Sequence, residues 1–358
     1  MIELLKYSVG IDVSKEKFDA CISVIDITQR VDVKATRKFD NTPSGIRQFI
    51  QWIKKHKKVD IQLVVLMEAT GVYYERIALK MHDQDFDVAV VLPNKAKKYI
   101  QSIGYKSKND KIDAKALAQM GAEQRLDLWQ PFSDKTYEIR NLTRQNEDLQ
   151  KERTAILNRI ESQNYAQKQN KLVLRQLKSM LKLIDKQIDQ VKLEVERCIN
   201  EDDVLKEKVE NINTLKGVGM LTIATVIGET NGFLLIKNQR QLVSYAGYDV
   251  VENQSGKRAG KTRISKKGNS HIRRALHFPA FNVVRYNPYS FGKLYQRVYE
   301  SSGLKMKGYV AVQRKILVLI YTLWKKNETY DENYGTSGND EQKTLFSVYP
   351  NRLKKVPA

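Results

Sequence analysis

Cysteine is nearly absent: Cys21 and Cys198 are the only two in 358 residues. That scarcity excludes a disulfide framework and a cysteine-rich zinc site. Cys198 falls on an apolar helical position and reads as a small hydrophobe. The four histidines (His56, His82, His271 and His277) show no H-E-x-x-H spacing. Long hydrophobic runs are also missing. The longest, Ile316 to Trp324, is far too short to span a bilayer, and Met1 to Asp12 carries no signal-peptide pattern. A reducing cytoplasm, around the nucleoid and without a membrane partner, is the expected setting.

Acidic residues are scarce relative to basic ones. Asp and Glu total 41 against 62 Lys and Arg, a formal net charge of +21. An excess of that size points to a polyanionic partner, DNA or RNA, through phosphate neutralisation and counterion release. The hydrophobic share of 41% is ordinary for a globular protein, and the length allows two or three domains.

The chain is organised around Val9-Gly10-Ile11-Asp12-Val13-Ser14-Lys15. Apolar alternation at Leu5 and Tyr7, resumed at Phe18, Ala20 and Ile22, predicts a strand, a tight turn and a return strand. Asp12 then ends a buried strand, where a carboxylate is costly unless it meets a cation or hydrogen-bond donors. Val31 to Phe39 supplies a third strand, and Thr42-Pro43 reads as N-cap and first position of a helix. The run Ile61 to Met67 is a buried strand ending at Glu68; a helix from Tyr73 to Gln84 and a strand from Val88 to Leu92, closed by Pro93, follow. Asn109-Asp110-Lys111-Ile112-Asp113-Ala114 opens another helix, with Asp110 and Asp113 three apart on one face. The order is that of a ribonuclease-H-like α/β domain. Each carboxylate alone has a structural use: Asp110 favours a helix N-terminus and Glu68 can cap a turn. Converging, Asp12, Glu68, Asp110 and Asp113 would repel unless cations sat between them, and hard oxygen ligands suit Mg²⁺ or Mn²⁺. Such ions stabilise attacking and leaving oxygens in phosphoryl transfer.

Pro131 closes this domain. Ile139, Leu142, Leu149, Ile156 and Ile160 follow a heptad grid, broken by Asn146 and Arg153. After a polar break at 163–170, Leu174, Leu177, Leu181, Ile184, Ile188, Val191, Val195 and Cys198 are spaced alternately three and four, a coiled-coil seam. The two helices read as an antiparallel hairpin or as arms that pair with another subunit. Further on, Gly217-Val218-Gly219 opens a helix whose free amides can hold a phosphate. A basic segment then carries Lys257, Arg258, Lys261, Arg263, Lys266, Lys267, Arg273 and Arg274, with no acidic residue between Glu252 and Glu300. One-sign charge on that scale favours phosphate contact. Tyr286, Tyr289, Phe291, Tyr295 and Tyr299 interleave with Arg285, Lys293 and Arg297; they can stack on bases, with a helix core the expected use of most. Ser255 sits in a Gln-Ser-Gly loop, and spacing alone does not make it a nucleophile.

At Gly10 to Lys15, Met67 to Tyr73, Asn109 to Ala114, Gly217 to Gly219, Gln254 to Gly256 and Ile264 to Asn269, the chain resembles the DEDD transposases of bacterial insertion sequences. These are the IS one-ten family of bridge-RNA-guided recombinases, with the Piv-type DNA invertases as relatives. The resemblance implies a RuvC-like (RNase H-like) N-terminal domain over 1–131, a coiled-coil oligomerisation region over 132–206, and a mainly α-helical transposase domain over 207–328. A polar tail over 329–358 follows. It also implies that Asp12, Glu68, Asp110 and Asp113 bind Mg²⁺ and that Ser255 attacks donor and target DNA, leaving a phosphoserine linkage. A non-coding guide RNA, a homodimer and a tetramer at synapsis belong to the same expectation. Two alternatives remain: a RuvC-like nuclease or junction resolvase that uses water, and a non-catalytic nucleic-acid-binding protein. Pro93-Asn94 stands where the family has Asn-Pro, and Ser265 is a competing serine in a turn suited to gripping phosphate.

Overall fold

The computed structural model describes residues 3–104, 109–234, 236–252, 254–255, 258–260 and 262–332. The chain divides into two compact units, Met1–Pro131 and Phe132–Ala358.

The first unit is built on a five-stranded sheet. Strand β1 (Leu4–Val13) pairs antiparallel with β2 (Lys17–Asp26), which pairs antiparallel with β3 (Val31–Asp40). Helix α1 (Pro43–His56) starts at Thr42, whose side chain accepts a hydrogen bond from the Gly45 amide, with Pro43 in the first turn. Strand β4 (Leu63–Glu68) lies parallel to β1, and after α2 (Glu75–His82), β5 (Asp87–Val91) lies parallel to β4. The strand order is therefore β3-β2-β1-β4-β5, a mixed sheet with helices on its faces as the sequence order predicts.

Strand β5 ends just before Pro93, as expected. The proline also opens a helix missed in the sequence, α3 (Pro93–Ser102), because a proline without an amide hydrogen is tolerated where that hydrogen would be unpaired. Helix α4 (Asp110–Glu123) completes the unit, its N-terminus capped by Asn109, which accepts from the Ile112 amide at 2.9 Å.

Side-chain alternation sorts the sheet into two faces. Val9, Ile11, Phe18, Ile22, Val65 and Met67 pack with α1 and α2, where Phe18, Phe39, Phe49 and Trp52 meet edge-on or stacked. Val64, Leu66, Ala89 and Val91 pack with α3 and α4 through Ala96, Leu117 and Met120. The opposite alternation class of β1 is Ser8, Gly10 and Asp12, and it faces α4.

The second unit begins with two long helices, α5 (Asp134–Tyr165) and α6 (Lys171–Asn200). They run antiparallel, as the ion pairs Lys135–Glu201 at 2.6 Å and Arg153–Asp185 at 2.6 Å require. Leu149, Ile156, Leu177, Ile184 and Ile188 fill the seam between them. Arg153, a polar break in the heptad grid, thus pairs across the helices rather than interrupting them.

Helices α7 (Asp203–Asn213), α8 (Met220–Thr230) and α9 (Gln239–Tyr245) follow. Four two-residue strands come next: β6 (Val250–Val251), β7 (Gln254–Ser255), β8 (Arg258–Ala259) and β9 (Arg263–Ile264). The unit ends with α10 (Ser270–Ala275), α11 (His277–Tyr286), a π-helical turn (Pro288–Gly292), α12 (Lys293–Ser302) and α13 (Lys305–Lys326). Its core gathers Val209, Ile212, Ile223, Val226, Leu242, Tyr248, Val283, Val312 and Ile316. Among the described residues no helix is long and apolar enough to cross a membrane.

Candidate functional site

The site in the first unit is assembled by a close approach of helix to strand. Helix α4 lies across β1 where Gly10 leaves the backbone bare: an added Cβ there would overlap the Ala118 amide and the Ala114 carbonyl. At the other end of the contact, a Cβ on Gly121 would strike the Ser8 hydroxyl. Ala114 and Ala118 pack on Cys21, the residue paired with Gly10 across β1 and β2. Small residues on both sides let the helix axis come close enough for its first turn to reach the end of β1.

That first turn carries Asp110, exposed, and Asp113, half-buried. Asp12 is half-buried at the end of β1, and Glu68 is half-buried as the last residue of β4, accepting a 3.4 Å hydrogen bond from Thr70 Oγ1. Burial first, and then the charges of Asp113, Asp110 and Glu68, push the Asp12 carboxyl up to about 6. All three expected partners are therefore close enough to act on Asp12.

A fifth carboxylate joins them. Asp19 lies directly opposite Asp12 in the β1–β2 register and also raises it. Opposite Asp19 in turn is Lys38 on β3, whose Nζ is 3.0 Å from Asp19 Oδ2. That hydrogen bond and charge hold the Lys38 ammonium above its ordinary pKa. The row Lys38–Asp19–Asp12 was missed in the sequence, although the tight turn at 14–16 sets its register.

Asn41 was also missed. Its buried Nδ2 donates to the Ser14 carbonyl at 3.0 Å and the Tyr73 carbonyl at 3.2 Å, tying the turn after Asp12 to the segment after Glu68.

Asp12, Glu68, Asp110 and Asp113 offer only hard oxygen donors, and the repulsion that the other three exert on Asp12 would be relieved by a cation of high charge. The donor set fits Mg²⁺ or Mn²⁺. Among the described residues, the one group of acidic, cysteine or histidine side chains whose ligand atoms all lie within 4.8 Å of one another is a different one, Glu138, Glu194 and Cys198 on α5 and α6. There Arg197 already pairs with Glu194 at 2.5 Å and with Glu138 at 3.6 Å. The four carboxylates of the sheet domain stand wider apart than that.

The remaining expected residues lie in the second unit. Gly217 adopts a φ of +98°, which favours glycine, and it lies against Asn282 and Val283. Gly219 precedes α8 with open space beside it. Ser255 belongs to β7 and pairs with Arg258 of β8 at the end of a longer excursion in which β6 pairs with β9. The side chains of Ser255 and Arg258, and Lys257 and Lys261 entirely, lie outside the described residues.

Arg263, Lys266 and Lys267 are exposed. Arg273 is turned inward, its NH1 donating to the carbonyls of Ala246 at 2.7 Å and Gly268 at 3.1 Å. Arg274 pairs with Glu147 on α5. Ser265, the competing serine, donates its hydroxyl to Asp249 at 2.8 Å and accepts from the Lys267 amide, which makes it a turn-building residue.

Behind this segment is a buried carboxylate, Glu229, 1% exposed. Burial raises its pKa, but hydrogen bonds from Arg144 (2.6 and 2.9 Å) and Asn269 (2.6 Å), with the Arg144 charge, outweigh burial and hold it below the usual carboxylate range. Gly228 beside it lets α8 touch the α5 backbone at Arg140. Asn269 also caps α10, so one carboxylate fastens the long helix α5 to the turn that follows the basic segment.

Comparison with known proteins adds the relatives. A family description for DEDD-type IS110 transposases matches residues 9–163, and one for the transposase IS116/IS110/IS902 family matches residues 209–296. The pilin gene-inverting protein of Moraxella lacunata is 31% identical over 337 residues, covering 91% of this chain and 98% of that protein. The transposase for insertion sequence element IS1111A of Coxiella burnetii is 22% identical over 348 residues, covering 90% of each. Among solved structures, Thermus thermophilus RuvC covers 33% of this chain and 93% of its own, at 11% identity and a TM-score of 0.26.

Proposed function

The chain belongs to the IS110 family of insertion-sequence transposases, a family of DNA-recombining enzymes, and from that premise we propose how its residues act. Asp12, Glu68, Asp110 and Asp113 hold Mg²⁺ or Mn²⁺, and Ser255 is the nucleophile toward DNA. The observation that carries this reading is the convergence on Asp12 of the charges of Asp113, Asp110 and Glu68, from two other elements of the sheet domain.

When bound, the divalent ion neutralises phosphate charge and lowers the proton affinity of an attacking oxygen. The protein's share is positional. Gly10 and Gly121 seat α4, Asn41 fixes the loops after β1 and β4, and Lys38 neutralises Asp19 so that the tetrad keeps its four ligands. In the serine step, Oγ of Ser255 forms a bond to the phosphorus while the bond to the departing sugar oxygen breaks. The serine's proton ends on that oxygen, leaving a phosphoserine ester and a free hydroxyl. The ester conserves the bond energy for rejoining, so no external energy source is needed.

The exposed cations Arg263, Lys266 and Lys267, with Lys257, Arg258 and Lys261 of the same segment, and the amides after Gly217 and Gly219, serve as phosphate contacts. Arg273 and Arg274 act through their internal bonds, shaping that surface. The paired helices α5 and α6 act as a coiled-coil hairpin that joins protomers, as a dimer and then a synaptic tetramer. A non-coding RNA selects donor and target DNA.

The test is covalent capture. The protein, candidate RNA and labelled element-junction DNA are incubated with Mg²⁺, and a denaturant-resistant adduct is sought. An adduct in the parent that both Ser255→Ala and Asp12→Ala lose is the expected result. Cleavage without adduct, kept by Ser255→Ala and lost by Asp12→Ala, would retire the serine in favour of water.

A further inference from the structure

The tyrosine-rich segment after the basic stretch divides in two. Phe291 is fully buried, and Tyr295 stacks with Tyr299 and lies against Tyr309. Tyr286 and Tyr289 do the opposite: they are 57% and 79% exposed. Tyr286 closes α11, Tyr289 lies three residues on in the π-helical turn, past the non-helical backbone of Asn287 (φ −130°, ψ 75°), and Lys293 opens α12 beside Tyr289.

The turn that displays Tyr289 is rigidly braced. Asn287, buried, accepts from the Ser290 amide at 3.1 Å and donates to the Tyr330 hydroxyl. Lys315 reaches up from α13 to donate to the Ser290 hydroxyl, its ammonium 4.7 Å from the centre of the Phe291 ring. A π-turn is uncommon in helical structure and is frequently found at functional sites. Here it holds an aromatic ring outward at almost full exposure, which costs apolar surface with no return inside the fold.

We propose that Tyr286, Tyr289 and Lys293 form a stacking platform for unpaired nucleotides of a single-stranded nucleic acid. This deepens the nucleic-acid reading given above and rests on it. Lys293 Nζ lies 5.7 Å from the centre of the Tyr289 ring, and Arg285 and Arg297 are exposed nearby in sequence, with no acidic residue from 253 to 299. The surface therefore offers flat rings together with charge of one sign. A duplex uses its base faces internally, and an acidic protein surface supplies charge without flat faces. An unpaired strand supplies both. The source is either a guide RNA or a DNA strand displaced during exchange; the chemistry is the same.

The full-length chain is titrated against a labelled oligouridylate, an oligothymidylate and a matched duplex, by fluorescence anisotropy over a range of salt. Tyr289→Ala and Tyr286→Ala are each expected to weaken both single strands about tenfold. Duplex binding stays within about twofold, and the salt slope does not change, because stacking releases no counterion. Tyr289→Phe binds like the parent. Lys293→Gln lowers the single-strand slope by about 0.7. Tighter binding of oligouridylate or of oligothymidylate identifies the source, and either supports the platform.

Tyr289→Leu keeps the apolar bulk without the π-face. Single-strand binding by this variant equal to the parent's overturns the proposal. So does a change confined to self-association in the sedimentation velocity of the tyrosine variants, which would make the strip a protein contact. The two readings fail separately. Loss of the serine adduct leaves the stacking signature untouched, and normal single-strand binding by the tyrosine variants leaves the adduct untouched.

Discussion

Single carboxylates in this chain carry opposite electrostatic histories. Asp12 is raised to about 6 by burial and by its acidic neighbours. In the metal-free protein, its folded state therefore binds more protons than its unfolded state between about pH 4 and about pH 6. Stability is expected to fall as pH rises through that window, on the order of 1–2 kcal/mol after solvent screening. Urea unfolding at pH 4 to 7 with a chelator should show the slope; Mg²⁺ or Asp12→Asn should remove it. Glu229 has the reverse sign. Its pKa is held down, so its contribution is present above the ordinary glutamate value and lost as pH falls below it. Glu229→Gln removes the charge that Arg144, itself a third exposed, and Asn269 bond to, and should cost about 1.5–3 kcal/mol, read as a lowered urea midpoint at pH 7. Asp12 was legible in the sequence because a carboxylate at the end of an apolar strand is conspicuous. Glu229 was not, since a glutamate near a helix end looks solvated until the arginine that meets it, 85 residues away, is placed beside it.

At the scale of elements, the most constrained junction is α4 against β1. Gly10→Ala has no nearby flexible side chain to displace, only the backbone of Ala114 and Ala118. It should cost about 3 kcal/mol or more and shift Asp110 and Asp113 off Asp12. The check is a pair of readings on the same variant: the melting temperature, and Mg²⁺ affinity by calorimetry, with both reduced. Strand β4 was readable as a continuous apolar run, because both its faces are buried, and α1 and the paired long helices from three-and-four spacing, because each buries one face. Helix α3 was lost to a proline interpreted as a stop. The short ladders β6–β9 and β7–β8 were lost because two-residue strands leave no period to count; beside β6–β9, the Ser265 and Lys266 amides bond to the carbonyls of Asp249 and Gly247. The row Lys38–Asp19–Asp12 needed register, and register follows from a turn length that the pattern alone left open.

For the whole molecule, a net charge of +21 makes association with DNA a salt-governed equilibrium. With six to ten phosphates engaged, affinity should drop by about three to five orders of magnitude between 50 and 200 mM salt. Replacing Lys266 and Lys267 together with Gln should flatten that dependence by about two contacts' worth, measured by filter binding on duplex DNA. The seating of α4 has a further bearing on the life of the chain. Asp12 leaves the ribosome nearly a hundred residues ahead of Asp110, and Ser255 follows later still. Synthesis runs from the N-terminus, so a growing polypeptide holds Asp12 and Glu68 long before the helix that completes the set exists. On the proposed division of labour a half-made chain near its own gene is thus unarmed: the carboxylate set is complete only when α4 docks on Gly10, and the nucleophile comes after it.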